Sequence, residues 1–105
     1  MICAQFFRKN GRLCSVQVSG HAGFAESGED IVCASVSSAV QLVANGITEC
    51  AKQQAEVRVS NNRISVTLPA HPSEMSVCFL DALHLHLTCL EQDFEGCIQV
   101  TVSEV

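Results

Sequence analysis

Residues 20–37 read Gly-His-Ala-Gly-Phe-Ala-Glu-Ser-Gly-Glu-Asp-Ile-Val-Cys-Ala-Ser-Val-Ser. A strand signal runs into this stretch, because Val16 and Val18 alternate with polar neighbours and Gly20-His21 follows at once. Residues 22–29 are small or acidic apart from Phe24, and Gly23 and Gly28 give them the backbone freedom of a loop. Asp30 then reads as a helix N-cap, since its carboxylate can accept from the first unpaired amides of a helix. That start places Cys33 in the first helical turn, where the positive end of the helix dipole favours thiolate over thiol. A strand ending at His21 and a helix starting before Cys33 let a compact fold bring the two together across the loop. A low-pKa cysteine beside a histidine is the core of a cysteine nucleophile site. The competing reading is a buried structural cysteine and an incidental surface histidine.

Outward from this stretch, the upstream chain reads as a β-hairpin. Residues 2–8 and 12–19 alternate as strands around Asn10-Gly11, the residue pair that best tolerates the positive φ of a type I′ turn. The simplest register sets Phe7 opposite Cys14, Gln5 opposite Val16 and Cys3 opposite Val18, a mostly apolar face expected to cover the core. Ile2, Phe6 and Leu13 then fall on the outer face, which a partner would partly cover.

Downstream, residues 31–53 carry Val32, Val36, Val40, Val43 and Ile47 at spacings of four or three, which predicts a helix. Gly46 weakens its end, and four of the five stripe residues are valine, so the helix depends on packing. Ser37 shares the face of Cys33 one turn on, where its hydroxyl supports the site or bonds back to its own helix. Residues 55–60 and 63–68 form a second hairpin around Asn61-Asn62, and Pro69 and Pro72 break the chain. Ser73 reads as the N-cap of a second helix to about Asp93, with Met75, Phe79, Leu83, Leu87, Leu90 and Phe94 as its buried stripe. After Gly96, Ile98, Val100 and Val102 alternate as a last strand. The predicted fold is α+β in the order ββαββαβ, two helices packed on a mostly antiparallel sheet of about five strands. It occupies residues 1–105 as one domain.

Composition narrows the function. Of the 105 residues 48% are apolar and 16% charged, so the chain is globular, with apolar surface to spare for a partner. Six basic against eleven acidic residues give a net charge of −5, which argues against a direct nucleic-acid surface. An acidic protein instead favours a basic partner through long-range attraction. No run approaches the roughly 18 apolar residues of a membrane span and Met1-Ile2-Cys3 is not a signal peptide, so a cytoplasmic protein is expected. Seven cysteines, an odd number without an export signal, argue against a disulfide framework and are expected to be mostly small core residues. His84 and His86 are two apart and point to different sides of a helix, so no metal site is expected. The glycines at 20, 23 and 28 are not followed by the lysine of a phosphate loop, and no cofactor is implied.

Gly20-His21-Ala22, residues 28–34 (Gly-Glu-Asp-Ile-Val-Cys-Ala) and Val36-Ser37 resemble the ribosomal-processing cysteine protease family (Prp). The resemblance is dense over residues 20–47, while length and element order agree along the whole chain. It implies a small α/β homodimer in which His21 and Cys33 form the catalytic pair, supported by Gly20, Asp30 and Ser37. The implied partner is a ribosomal protein substrate, large-subunit ribosomal protein twenty-seven, whose N-terminal extension is removed. Family substrates present hydrophobic residues before the cleaved bond, so an apolar cleft is expected beside the 22–29 loop. Ala22, Gly23, Phe24 and Gly28 would form a substrate-binding lid there. Two other classes compete: a non-enzymatic domain that binds a ribosomal protein, and a thiol redox sensor. A sensor calls for a resolving cysteine near Cys33, and none is close in sequence.

Overall fold

Asn10 and Gly11 take φ of 55° and 79°, the turn that their residue types predict, and fold β1 (Ile2–Lys9) back on β2 (Arg12–Ser19). The computed structural model describes residues 1–20 and 27–105. After the hairpin come α1 (Ser27–Asn45), a π-helical turn (Gly46–Cys50), β3 (Glu56–Ser60), β4 (Arg63–Thr67), α2 (Glu74–Asp93) and β5 (Ile98–Glu104). The five strands form one sheet in the order β3-β4-β2-β1-β5, antiparallel except that β5 runs parallel to β1. The ββαββαβ order and the α+β class are those that the sequence predicts.

The first hairpin departs from its expected register. Cys3 pairs with Ser19, Ala4 with Val18 and Phe6 with Val16, while nearer the turn Arg8 pairs with Leu13. The step between Phe7 and Arg8 is a β-bulge that leaves Cys14 as the extra residue, its thiol 3.4 Å from the Phe7 carbonyl oxygen. One extra residue brings Leu13 and Val16 to the same face although their numbers differ by an odd count. The core face is therefore Ile2, Ala4, Phe6, Leu13, Val16 and Val18. Ile2, Phe6 and Leu13 lie inside the fold and cannot be the outer apolar patch that the sequence suggested.

The α1 stripe is as predicted: Val32, Val36, Val40, Val43 and Ile47 are all buried. The regular helix ends at Asn45 instead of continuing to residue 53, and a wider turn follows, with Ala51 donating to the Gly46 carbonyl at 2.9 Å. The cause is tertiary. A Cβ on Gly46 would lie 2.5 Å from the Phe79 ring, so that aromatic side chain occupies the space a side chain at 46 would need. Ile31–Cys50 is long and apolar enough by length and composition to cross a membrane, contrary to expectation, yet its inner stripe is part of this core and less than half of it is buried.

Ser73 caps α2 as predicted, accepting from the Ser76 amide at 3.2 Å. The buried Ser76 hydroxyl lies 2.8 Å from Ser73 Oγ and donates to Gln53 Oε1 at 3.3 Å, which satisfies it. The buried stripe of α2 is Ser76, Val77, Leu80, Leu83 and Leu87, so Met75, expected inside, is exposed. The cysteines also differ from expectation. Cys50, Cys78 and Cys89 are exposed and the other four are half-buried.

Candidate active site

Cys33 is the seventh residue of α1, half-buried and packed against the core. The helix begins at Ser27, three residues before the expected cap. Asp30 is thus the fourth helical residue rather than the N-cap, and Gly28 belongs to the helix rather than to a 22–29 loop. Glu29 and Asp30 suit a first turn through the helix dipole, which explains how the helix reaches back past them. The consequence for chemistry is direct. Cys33 lies in the second turn, where the dipole's influence has fallen off, and its own amide is within the helical ladder. The Cys33 amide is therefore not free to serve as an oxyanion donor.

Ser37 and Gln41 follow Cys33 at four-residue steps on the same helix, and all three line one cavity of about 380 Å³. Val36 adds an apolar side chain from the helix, and the β3–β4 hairpin supplies Val59, Asn61, Asn62 and Ile64. A largely apolar cavity thus lies beside Cys33, while most of the 22–29 loop beside which the resemblance implied a cleft lies outside the described residues. The hairpin forms through its Asn61-Asn62 turn, and β4 pairs with β2 so that Ile64 lies opposite Val18, which brings the turn to the end of β2.

Gly20 closes that junction. Its amide donates to the Asn62 carbonyl at 3.1 Å, its φ is +87°, and a Cβ there would lie 2.5 Å from the Met1 carbonyl oxygen. Only glycine meets both demands, so this position has a steric reason that sequence alone could not supply. Gly20 itself lines the Cys33 cavity, and the chain leaves it toward His21. His21, Ala22, Gly23 and Phe24 lie outside the described residues, as does the 22–26 part of the expected lid.

Gln41 and the hairpin residues were not singled out from the sequence. For Gln41 a signal existed, since it continues the four-residue row of Cys33 and Ser37. The hairpin residues carry no local signal, because only strand pairing brings them to the site. Among the described residues no group of three or more His, Cys, Asp or Glu is placed to hold a metal ion. His84 packs edge-to-face on the buried Phe6, ring centroids 5.0 Å apart, and His86 is exposed. Both lie away from the Cys33 cavity.

The family model described as cysteine protease Prp matches residues 1–99. No curated protein matches the chain. Among solved structures, SMU.848 from Streptococcus mutans superposes with a TM-score of 0.90 at 27% identity, over 100% of this chain and 96% of that one. The ribosomal processing protease Prp from S. aureus, in complex with a substrate peptide, gives a TM-score of 0.90 at 19% identity, over 98% and 100% of the two chains. Its complex with a covalently linked product peptide gives 0.89 at 20% identity, with the same shares covered.

Proposed function

The chain belongs to the cysteine protease Prp family, and from that premise we propose that it removes the N-terminal extension of large-subunit ribosomal protein twenty-seven, with Cys33 as nucleophile and His21 as base. The observation that carries the assignment is the position of Cys33 in a largely apolar cavity that also includes Gly20, the residue before His21. Of the seven cysteines, Cys33 is the one lining that cavity. The S. aureus relative, known with substrate and product peptides as a ribosomal processing protease, supports the substrate class.

The chemistry needs no cofactor. His21 takes the thiol proton, and the Cys33 sulfur attacks the scissile carbonyl to form a C–S bond. Collapse of the tetrahedral adduct breaks the amide C–N bond while His21 protonates the leaving amine. Water then adds to the thioester with His21 as base, releasing the carboxylate product and restoring the thiol. Ser37, exposed on the cavity side of α1 one turn from Cys33, supports the site by offering a hydroxyl to the adduct or to His21. Asp30 keeps in this reading the supporting role that the family resemblance implies. The reaction belongs to the cytoplasm, where the chain's net charge of −5 attracts a basic ribosomal protein.

The working unit in this reading is a homodimer, formed through the outer side of the two helices. There Met75, Cys78, Ala82, Leu85 and Cys89 are exposed at alternating spacings of three and four along α2. Ile31 and Leu42 are exposed on α1, which has no charged residue from Ile31 to Asn45. Such a stripe is a helix-pairing seam rather than a solvated face.

The direct test is incubation with a synthetic peptide spanning the extension and its junction, followed by mass spectrometry. A single cut at the junction, lost in Cys33→Ala and in His21→Ala, is expected. An intact peptide, or cleavage that persists in Cys33→Ala, overturns the reading.

A further inference from the structure

The row Cys33, Ser37, Gln41 extends the cavity along α1 well past the nucleophile, and β3 opens the opposite side. Val57 and Val59 lie on the helix-bearing face of the sheet, paired with the inward Val66 and Ile64. Among the described residues no helix covers them, however: Val59 is 74% exposed and still lines the Cys33 cavity. The cavity is thus a trough with an uncovered valine on one side and an exposed carboxamide on the other.

Building on the assignment of Cys33 as nucleophile, we propose that Gln41 is a substrate-positioning residue. It hydrogen-bonds the backbone of an extended peptide three or four residues from the cleaved bond, where Val59 packs against a substrate side chain. Two arguments fix this occupant and its register. The first is chemical. A carboxamide carries one acceptor oxygen and a donor NH2, the complement of a peptide unit's N–H and C=O, and it reads backbone rather than side chains. A peptide seated over Val36, Val59 and Ile64 would exclude water from such a bond, which strengthens it. The second is dimensional. Eight helical residues at about 1.5 Å each set Gln41 about 12 Å from Cys33. An extended chain advances about 3.3 Å per residue, so that span is covered by three to four substrate residues. Ser37, halfway, has only a short hydroxymethyl side chain, which leaves Gln41 as the first long polar side chain along the row.

The test measures binding and cleavage separately. Peptides spanning the ribosomal-protein junction are synthesised with one backbone amide replaced by an ester at each position in turn, which removes a single N–H donor. Their dissociation constants are measured by fluorescence anisotropy against Cys33→Ala and against Cys33→Ala/Gln41→Ala. An ester three or four residues from the junction is expected to weaken binding to Cys33→Ala about three- to tenfold, the worth of one neutral hydrogen bond. Gln41→Ala weakens the all-amide peptide by a similar factor, and the two losses do not multiply at that one position. Losses that multiply at every position, or coupling confined to the two residues flanking the junction, overturn the role of Gln41. Cleavage by the unaltered protein reports on the other reading. Cleavage without coupling removes Gln41 and keeps Cys33 as nucleophile, coupling without cleavage does the reverse, and no binding at all removes both.

Discussion

Two single residues carry the site's most testable claims, Cys33 and Gly20. Three of the other cysteines, Cys50, Cys78 and Cys89, are exposed, so exposure to a general alkylating reagent does not distinguish the nucleophile. Turnover does. Cys33→Ala is expected to lower kcat for the junction peptide at least about a thousandfold, as loss of a nucleophile does elsewhere. Cys50→Ser, far from the cavity lining, is expected to stay within about twofold. Equal losses in the two variants would argue that thiol chemistry in general, rather than Cys33, supports the activity. Gly20 is tested by stability. Gly20→Ala meets both a left-handed φ and the Met1 carbonyl, whereas Gly11→Ala meets only a φ of +79° with open space around it. Gly11→Ala is expected to cost about 1 kcal/mol and Gly20→Ala about 2–4 kcal/mol, the latter a fall in Tm on the order of 10–20 °C. Thermal unfolding by circular dichroism orders the two, and an equal pair would show that the Met1 contact yields freely.

Among the elements, the end of α1 and the second turn of α2 are fitted to one another through Gly46 and Phe79. A methyl group at 46 has no room while the ring is present, so Gly46→Ala is expected to destabilise by about 1–3 kcal/mol. In a Phe79→Leu background the added methyl should cost less, because a smaller side chain can retreat. A double-mutant cycle in urea measures this coupling, and strict additivity would show that the π-helical turn has another origin. The same reasoning explains why the sequence predicted a continuous helix to residue 53. Gly46 alone lowers helix propensity by about 1 kcal/mol, too little to widen a turn, and the ring that does so comes from a residue more than thirty positions away.

For the whole molecule, the proposed homodimer would pair through the outer helical face in place of the first hairpin, whose apolar residues are buried. In that proposed dimer, an antiparallel two-fold pairing of α2 about the midpoint between Ala82 and Leu85 would set Cys78 opposite Cys89 of the partner subunit. The same axis would set Asp81 opposite His86 of the partner subunit, an acid against a base, and the small Ala82 would permit close approach. Light scattering is expected to give twice the 11.3 kDa chain mass at micromolar concentration. Mild oxidation with copper phenanthroline should crosslink the dimer, and either Cys78→Ser or Cys89→Ser should abolish that bond. Leu85→Glu should return the protein to a monomer. A monomeric mass for the unaltered chain, or a crosslink indifferent to both cysteines, would sink this arrangement.

Local chemistry along the chain determined the elements and the family. The Asn10-Gly11 and Asn61-Asn62 turns, the Ser73 cap, the valine stripe of α1 and the motif around Cys33 each depend on a few neighbouring residues, and each is legible without a structure. What needed the tertiary structure has a common physical origin in contacts between residues far apart in sequence. The bulge at Cys14 turned Ile2, Phe6 and Leu13 inward, because a strand's faces exchange with a single extra residue and alternation alone cannot register it. α2 carries two apolar stripes, and only packing decides that Leu80, Leu83 and Leu87 face the core while Met75, Cys78 and Leu85 do not. The start of α1 at Ser27 moved Cys33 into the second turn and committed its amide to the helical ladder. Pairing of β4 with β2 brought Asn62 to Gly20 and Val59 to the Cys33 cavity, an arrangement that no spacing in residues 20–37 encodes.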